Sequence, residues 1–162
     1  MVFKQGLKKL NQWFIVQERG LTLGEIQLIE SVFSDQIQQL DHIRIIAHRA
    51  ILKDYALSPN GHIYFNAYNW RPDFSTADVH IQAWLIHEMV HVWQLQQGIR
   101  VVRKAILNRR YRYILQAGKH FLSYGVEQQA QMVQDYFIRK KSGQICTEYE
   151  KCIPFVPPQI QT

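Results

Sequence analysis

The run His87-Glu88-Met89-Val90-His91 is an HExxH sequence. Residues four apart on an α-helix are separated by about 40° around the axis and one turn along it, so the two imidazoles point the same way and can share one tetrahedral ion. Zinc is the metal that suits this pair. Glu88 is displaced about 100° from His87, which removes it from the ligand set but lets its carboxylate reach a water on the metal as a general base. The pentapeptide is flanked by Trp84, Leu85, Ile86, Val92 and Trp93 and encloses Met89 and Val90, so its helix is expected to be buried. Two buried histidines beside a buried carboxylate are costly unless something pairs with all three. A chance His pair on an exposed helix does not account for those apolar flanks, and a metal ion does.

Two histidines call for a third protein ligand, with a further position left open for water. The metzincin extension places a Gly and a His shortly after the second His, but His91 is followed by Val92-Trp93-Gln94-Leu95-Gln96-Gln97-Gly98 and no His, which excludes that class. The downstream candidates are His120, Glu127 and Asp135. Glu127 is favoured because it lies on an expected helix with Ala130 one turn on, small enough for close packing against the HExxH helix. Asp135, two turns beyond on nearly the same face, is expected to orient a ligand imidazole. Tyr111, Tyr113, Tyr124 and His120 are candidates for a hydrogen bond to developing negative charge.

Working outward, Ile81, Leu85, Val92 and Leu95 form one apolar stripe and Val79, Ala83, Ile86, Val90 and Trp93 another, so a helix from Val79 to about Gln97 is buried on more than one side. Gly98 stops it. Upstream, the β-branched run His42 to Ala47 reads as a strand. A Ser58-Pro59-Asn60-Gly61 turn leads into a second strand, Ile63-Tyr64-Phe65, expected to be its antiparallel neighbour. The segment His62 to Asn66 could pair edge-on with an extended peptide. Leu7, Leu10, Phe14 and Val16 suggest an N-terminal helix within residues 1–20, and Thr22 with Glu25 forms a capping-box pattern ahead of Ile26, Ile29, Val32, Phe33 and Ile37. Downstream come a short element around Tyr111 to Leu115, a helix from about Ser123 to Lys140, and an extended proline-bearing tail over 141–162. The whole of 1–162 reads as one α+β domain with a small antiparallel or mixed sheet, an HExxH helix and a second ligand-bearing helix.

With 162 residues, 47% hydrophobic and 20% charged, the composition excludes a disordered or low-complexity chain. No apolar run approaches the ~20 residues of a membrane span, and Trp13-Phe14-Ile15-Val16 is too short for a signal peptide. The reading is therefore cytoplasmic as synthesised. Cys146 and Cys152 lack the spacing of a zinc clip and are read as reduced thiols. The net charge is +6. Six basic residues between Arg100 and Arg112 read as a solvated face, with no nucleic-acid module beside them.

A resemblance is carried by Leu21 to Ile26, Ser58 to Phe65, His87 to Gln94 and Glu127 to Ala130. Together these look like the small bacterial Vgr-related proteins, similar in turn to the zincin-like core domain of extracellular contractile injection systems. The resemblance implies a minimal zincin-like fold, Zn2+ held by His87 and His91 with Glu88 catalytic, and Glu127 as the glutamate ligand by its helical context. It also implies a link to type VI or related secretion machinery, with a spike or tube protein as partner and export by a contractile injection route. The expectation is thus a zinc metallopeptidase acting on polypeptide through a metal-activated water. The alternative is a catalytically silent, zincin-shaped binding or scaffold component of a secretion system.

Overall fold

The computed structural model describes residues 12–99 and 111–156. The basic stretch therefore lies outside the described residues except for Tyr111 and Arg112, as do the first eleven residues and 157–162. In chain order the elements are β1 (Ile15–Gly20), α1 (Leu23–Phe33), β2 (Arg44–His48), β3 (Ala56–Leu57), β4 (Ile63–Asn66), α2 (Val79–Gln96), α3 (Val126–Lys141) and α4 (Thr147–Cys152). The result is a small α+β fold with a mixed sheet in the order β1-β2-β4-β3.

Three expectations are corrected here. Ile15–Gly20 is a strand and not the end of a helix: it runs antiparallel to β2, with Glu18 opposite Ile46 and Arg19 opposite Ile45. Its β-branched start and a full-length partner outweigh the weak helical stripe. Second, β4 is parallel to β2, Ile45 facing Ile63 and Ala47 facing Phe65. The turn at 58–61 does make a hairpin, with Gly61 at φ +83, but it joins β4 to the two-residue β3 rather than to β2. Because β4 lies between β2 and β3, neither of its edges is available to a peptide, and the outer strand on that side is β3. Third, the tail is not extended throughout. Thr147–Cys152 is helical, and Ile153, Phe155 and Val156 are buried. Phe155 stacks on Phe33 at 4.8 Å between centroids and meets Trp93 at 4.9 Å, so the segment closes the core.

The capping box of α1 forms as the sequence suggests: Thr22 Oγ1 accepts from Glu25 N at 3.1 Å, and Glu25 Oε2 accepts from Thr22 N at 2.9 Å. Glu25 is fully buried. Its charge is met by a two-pronged Arg19 contact, both bonds at 2.7 Å, and Phe74 N donates to it at 2.8 Å. One carboxylate thus ties β1, α1 and the loop before α2 together.

Asp78 begins α2, accepting from His80 N and Ile81 N. The helix is buried without interruption from Leu85 to Gln94, with Ile86, Met89 and Val90 in the central cluster beside Ile45, Ile63 and Phe65. Ala83 and Ala130 are both wholly inaccessible, so small side chains lie in the core on both long helices. That packing carries the first turn of α3 to the middle of α2.

Candidate metal centre

His87 and His91 stand one turn apart on α2, their rings 5.1 Å between centroids and 79° from parallel. Glu127, in the first turn of α3, meets both: its Oε2 is 3.5 Å from His87 Nε2 and 3.4 Å from His91 Nε2. One ligand atom from each residue lies within 4.8 Å of the other two, and all three residues are buried. Asp135 and His120 are not part of this group.

The donor set fits zinc. Contacts of 3.4 and 3.5 Å are long for a charge-assisted hydrogen bond, about 2.7–2.9 Å. They match the edge of a tetrahedron built on metal–ligand bonds near 2.1 Å, about 3.4 Å. The other ring nitrogens are already engaged, His87 Nδ1 with Gln134 Oε1 and His91 Nδ1 with Gln94 Oε1, each at 2.9 Å. An amide oxygen can only accept, so each Nδ1 carries a proton, which leaves Nε2 as the nitrogen that faces Glu127 and that would bind an ion.

Electrostatics agree with a site built for positive charge. Burial alone would depress the His91 imidazolium, but the carboxylates of Glu127 and Glu88 reverse that and hold its pKa at about 9. For Glu127, burial would raise the carboxyl and the two imidazoles bring it down to about 2.

Glu88 is buried and accepts a hydrogen bond from Ser58 Oγ at 2.8 Å through Oε2. Ser58 directly follows β3, so the sheet margin and Glu88 are joined by one residue.

Asp135 does not orient an imidazole. Its oxygens accept from Tyr113 Oη at 2.6 Å and Gln131 Nε2 at 2.8 Å, while Gln134, one residue earlier, faces His87. The 100° step per residue turns Asp135 away from α2. His120 precedes the short helical turn Phe121–Ser123 without a side-chain cap. Among the tyrosines, Tyr113 is tied to Asp135, its phenol pushed upward by burial and by that carboxylate. Tyr124 Oη is held between Ile114 O and Gln116 N. The Tyr111 ring lies beside a histidine of the centre, 6.3 Å from His87 between centroids. A cavity of about 910 Å³ lies between residues 111–116 and α3, with Tyr111 and Gln131 among its lining.

The sequence reading missed Ser58, Gln94 and Gln134. The hydroxyl in the turn after β3 and the glutamine three residues past His91 were visible, but neither side chain announces its partner.

One known protein matches this chain both in structure and in sequence. The solved effector domain of Pseudomonas aeruginosa VgrG2b superposes with a TM-score of 0.72 at 34% identity, covering 84% of this chain and 82% of that one. The chain belongs to the VgrG2b effector-domain family. The type VI secretion system spike protein VgrG2b of the same species is 38% identical over 134 residues, 75% of this chain and 13% of the spike protein. The chain therefore spans about an eighth of the length of that relative. No family model matches the chain. The secretion-system relationship expected from the resemblance stands on these two matches. Among the described residues, no helix is long and apolar enough to cross a membrane.

Proposed function

We propose that this chain is a zinc-dependent peptidase domain of a type VI or related contractile secretion system, exported with or beside a spike protein and acting on polypeptide. The observation that carries the reading is the convergence of buried His87 and His91 on α2 with buried Glu127 from the first turn of α3, with Glu88, also buried, next to His87 on α2. His87 Nε2, His91 Nε2 and a Glu127 oxygen would hold the ion. Zinc, when bound, acidifies a water and polarises a carbonyl.

Glu88 does the proton work. With Oε2 engaged by Ser58, Oε1 is the oxygen that takes a proton from the attacking water and returns it to the leaving amide nitrogen. The water oxygen bonds to the carbonyl carbon, the C–N bond breaks, and the products are a carboxylic acid and an amine, which share out the second water proton as carboxylate and ammonium. Ser58 keeps the carboxylate from rotating. Glu127 contributes a full negative charge at neutral pH, consistent with its depressed pKa.

The test is metal analysis together with cleavage of a peptide library by wild type and Glu88→Gln. Glu88→Gln is expected to retain about one zinc per chain and to lose on the order of 10²–10⁴-fold in rate. Cleavage undiminished in that variant would overturn the role of Glu88. Bound zinc without hydrolysis of any library member would replace the enzymatic reading with the silent, binding one.

A further inference from the structure

His91 Nδ1 does not end its hydrogen bonding at Gln94. The Gln94 amide nitrogen donates to Val126 O at 3.0 Å and to Gln129 Oε1 at 2.9 Å. The Gln129 amide nitrogen donates in turn to Tyr124 O at 2.8 Å. Gln94 is wholly inaccessible and Gln129 is 3% exposed, so water does not stand in readily for either link.

The direction of this chain is not free. Backbone carbonyls only accept. Tyr124 O therefore fixes which end of the Gln129 amide faces it, and Val126 O does the same for Gln94. With both amides so turned, Gln94 presents its oxygen to His91, and the imidazole must be the donor through Nδ1–H. Turning either amide over would set two carbonyl oxygens against each other in a buried space, at a cost comparable with a lost buried hydrogen bond.

We propose that Gln94 and Gln129 are positioning residues that fix the His91 tautomer, so that affinity for the ion is set partly by Gln129 and the Tyr124 carbonyl, which touch no ligand atom of the centre. The inference rests on the metal reading above, and its test separates the two. Apo wild type, Gln94→Leu, Gln129→Leu and the double variant are titrated with zinc against a chromogenic chelator, with circular dichroism as the fold control. In parallel, long-range proton–nitrogen correlation spectra report the His91 tautomer in metal-free wild type at a pH where the ring is neutral.

Gln94→Leu is expected to weaken zinc binding by about 10–100-fold. Gln129→Leu weakens it by several-fold, and the double variant loses no more than Gln94→Leu alone, the non-additivity of a single connected network. The metal-free spectrum shows the proton on Nδ1. A folded Gln129→Leu that binds zinc as tightly as wild type, or a neutral His91 protonated on Nε2, overturns the relay. Should the leucine variants fail to fold, the tautomer in wild type decides. Wild type that takes up no zinc ends the metal reading, while the tautomer still tests the relay.

Discussion

The two imidazoles of the centre are supported in different ways. His91 is backed by two buried amides and two backbone carbonyls, in a part of α2 where the neighbouring Trp93 packs against Phe121 and Phe155. His87 is backed by one half-buried amide, Gln134, and borders Tyr111, itself 44% exposed. One side of the site belongs to the core and the other to the surface. On the proposed peptidase reading, the rigid side would fix where an ion sits and the accessible side would give a substrate a way in.

That contrast can be broken most directly at the shared ligand. Glu127→Ala removes the group that faces both rings, and zinc affinity measured by chelator competition is expected to fall by on the order of 10³-fold, more than loss of an outer partner costs. The buried side can be tested through its footing: Phe155→Ala should cost about 3–5 kcal/mol of stability in urea unfolding, while a cut of similar size on the Tyr111 side costs far less.

Protons compete with the ion for His91. With its pKa held near 9, the apparent zinc affinity should rise by up to about tenfold per pH unit as pH climbs toward 9, then flatten. Without metal the signs reverse in a useful way. The His91 contribution to stability is complete below its unfolded pKa of about 6.5 and is lost as pH rises through about 9. That of Glu127 is complete above about 4.5 and is lost as pH falls through about 2. The metal-free protein should therefore be most stable between about pH 4.5 and 6.5, which thermal unfolding across pH would show. The smallest effect expected is at Gln134→Leu, a loss in zinc affinity of about threefold or less, because water can replace a half-exposed acceptor. A Gln134 effect equal to that of Gln94 would erase the asymmetry.

The sequence announced the parts of the site that are local. The four-residue spacing of His87 and His91 needs only helical periodicity, and the stripes around them give the burial. Glu127 was reachable because the helix carrying it has Ala130 one turn on. The amide relay was not legible, since Gln94 and Gln129 are 35 residues apart and meet only once α2 and α3 have packed. Asp135 failed for the opposite reason: its periodicity was read correctly to within one residue, and on a helix one residue is 100°. The sheet misled where strands are short. A two-residue β3 has no hydrophobic alternation to detect, yet its insertion reverses the relation between β2 and β4. In β1 and α4, pairing and packing with distant segments decided what local composition left ambiguous.

Ser58 carries two duties at once, closing the outer strand and gripping Glu88. On the proposed peptidase reading, a change at Ser58 would alter turnover through Glu88, whereas the preceding Leu57, 52% exposed, is open to variation. Directed-evolution libraries spanning Leu57 and Ser58, selected for the proposed cleavage, should accordingly return Ser58 unchanged while Leu57 diversifies.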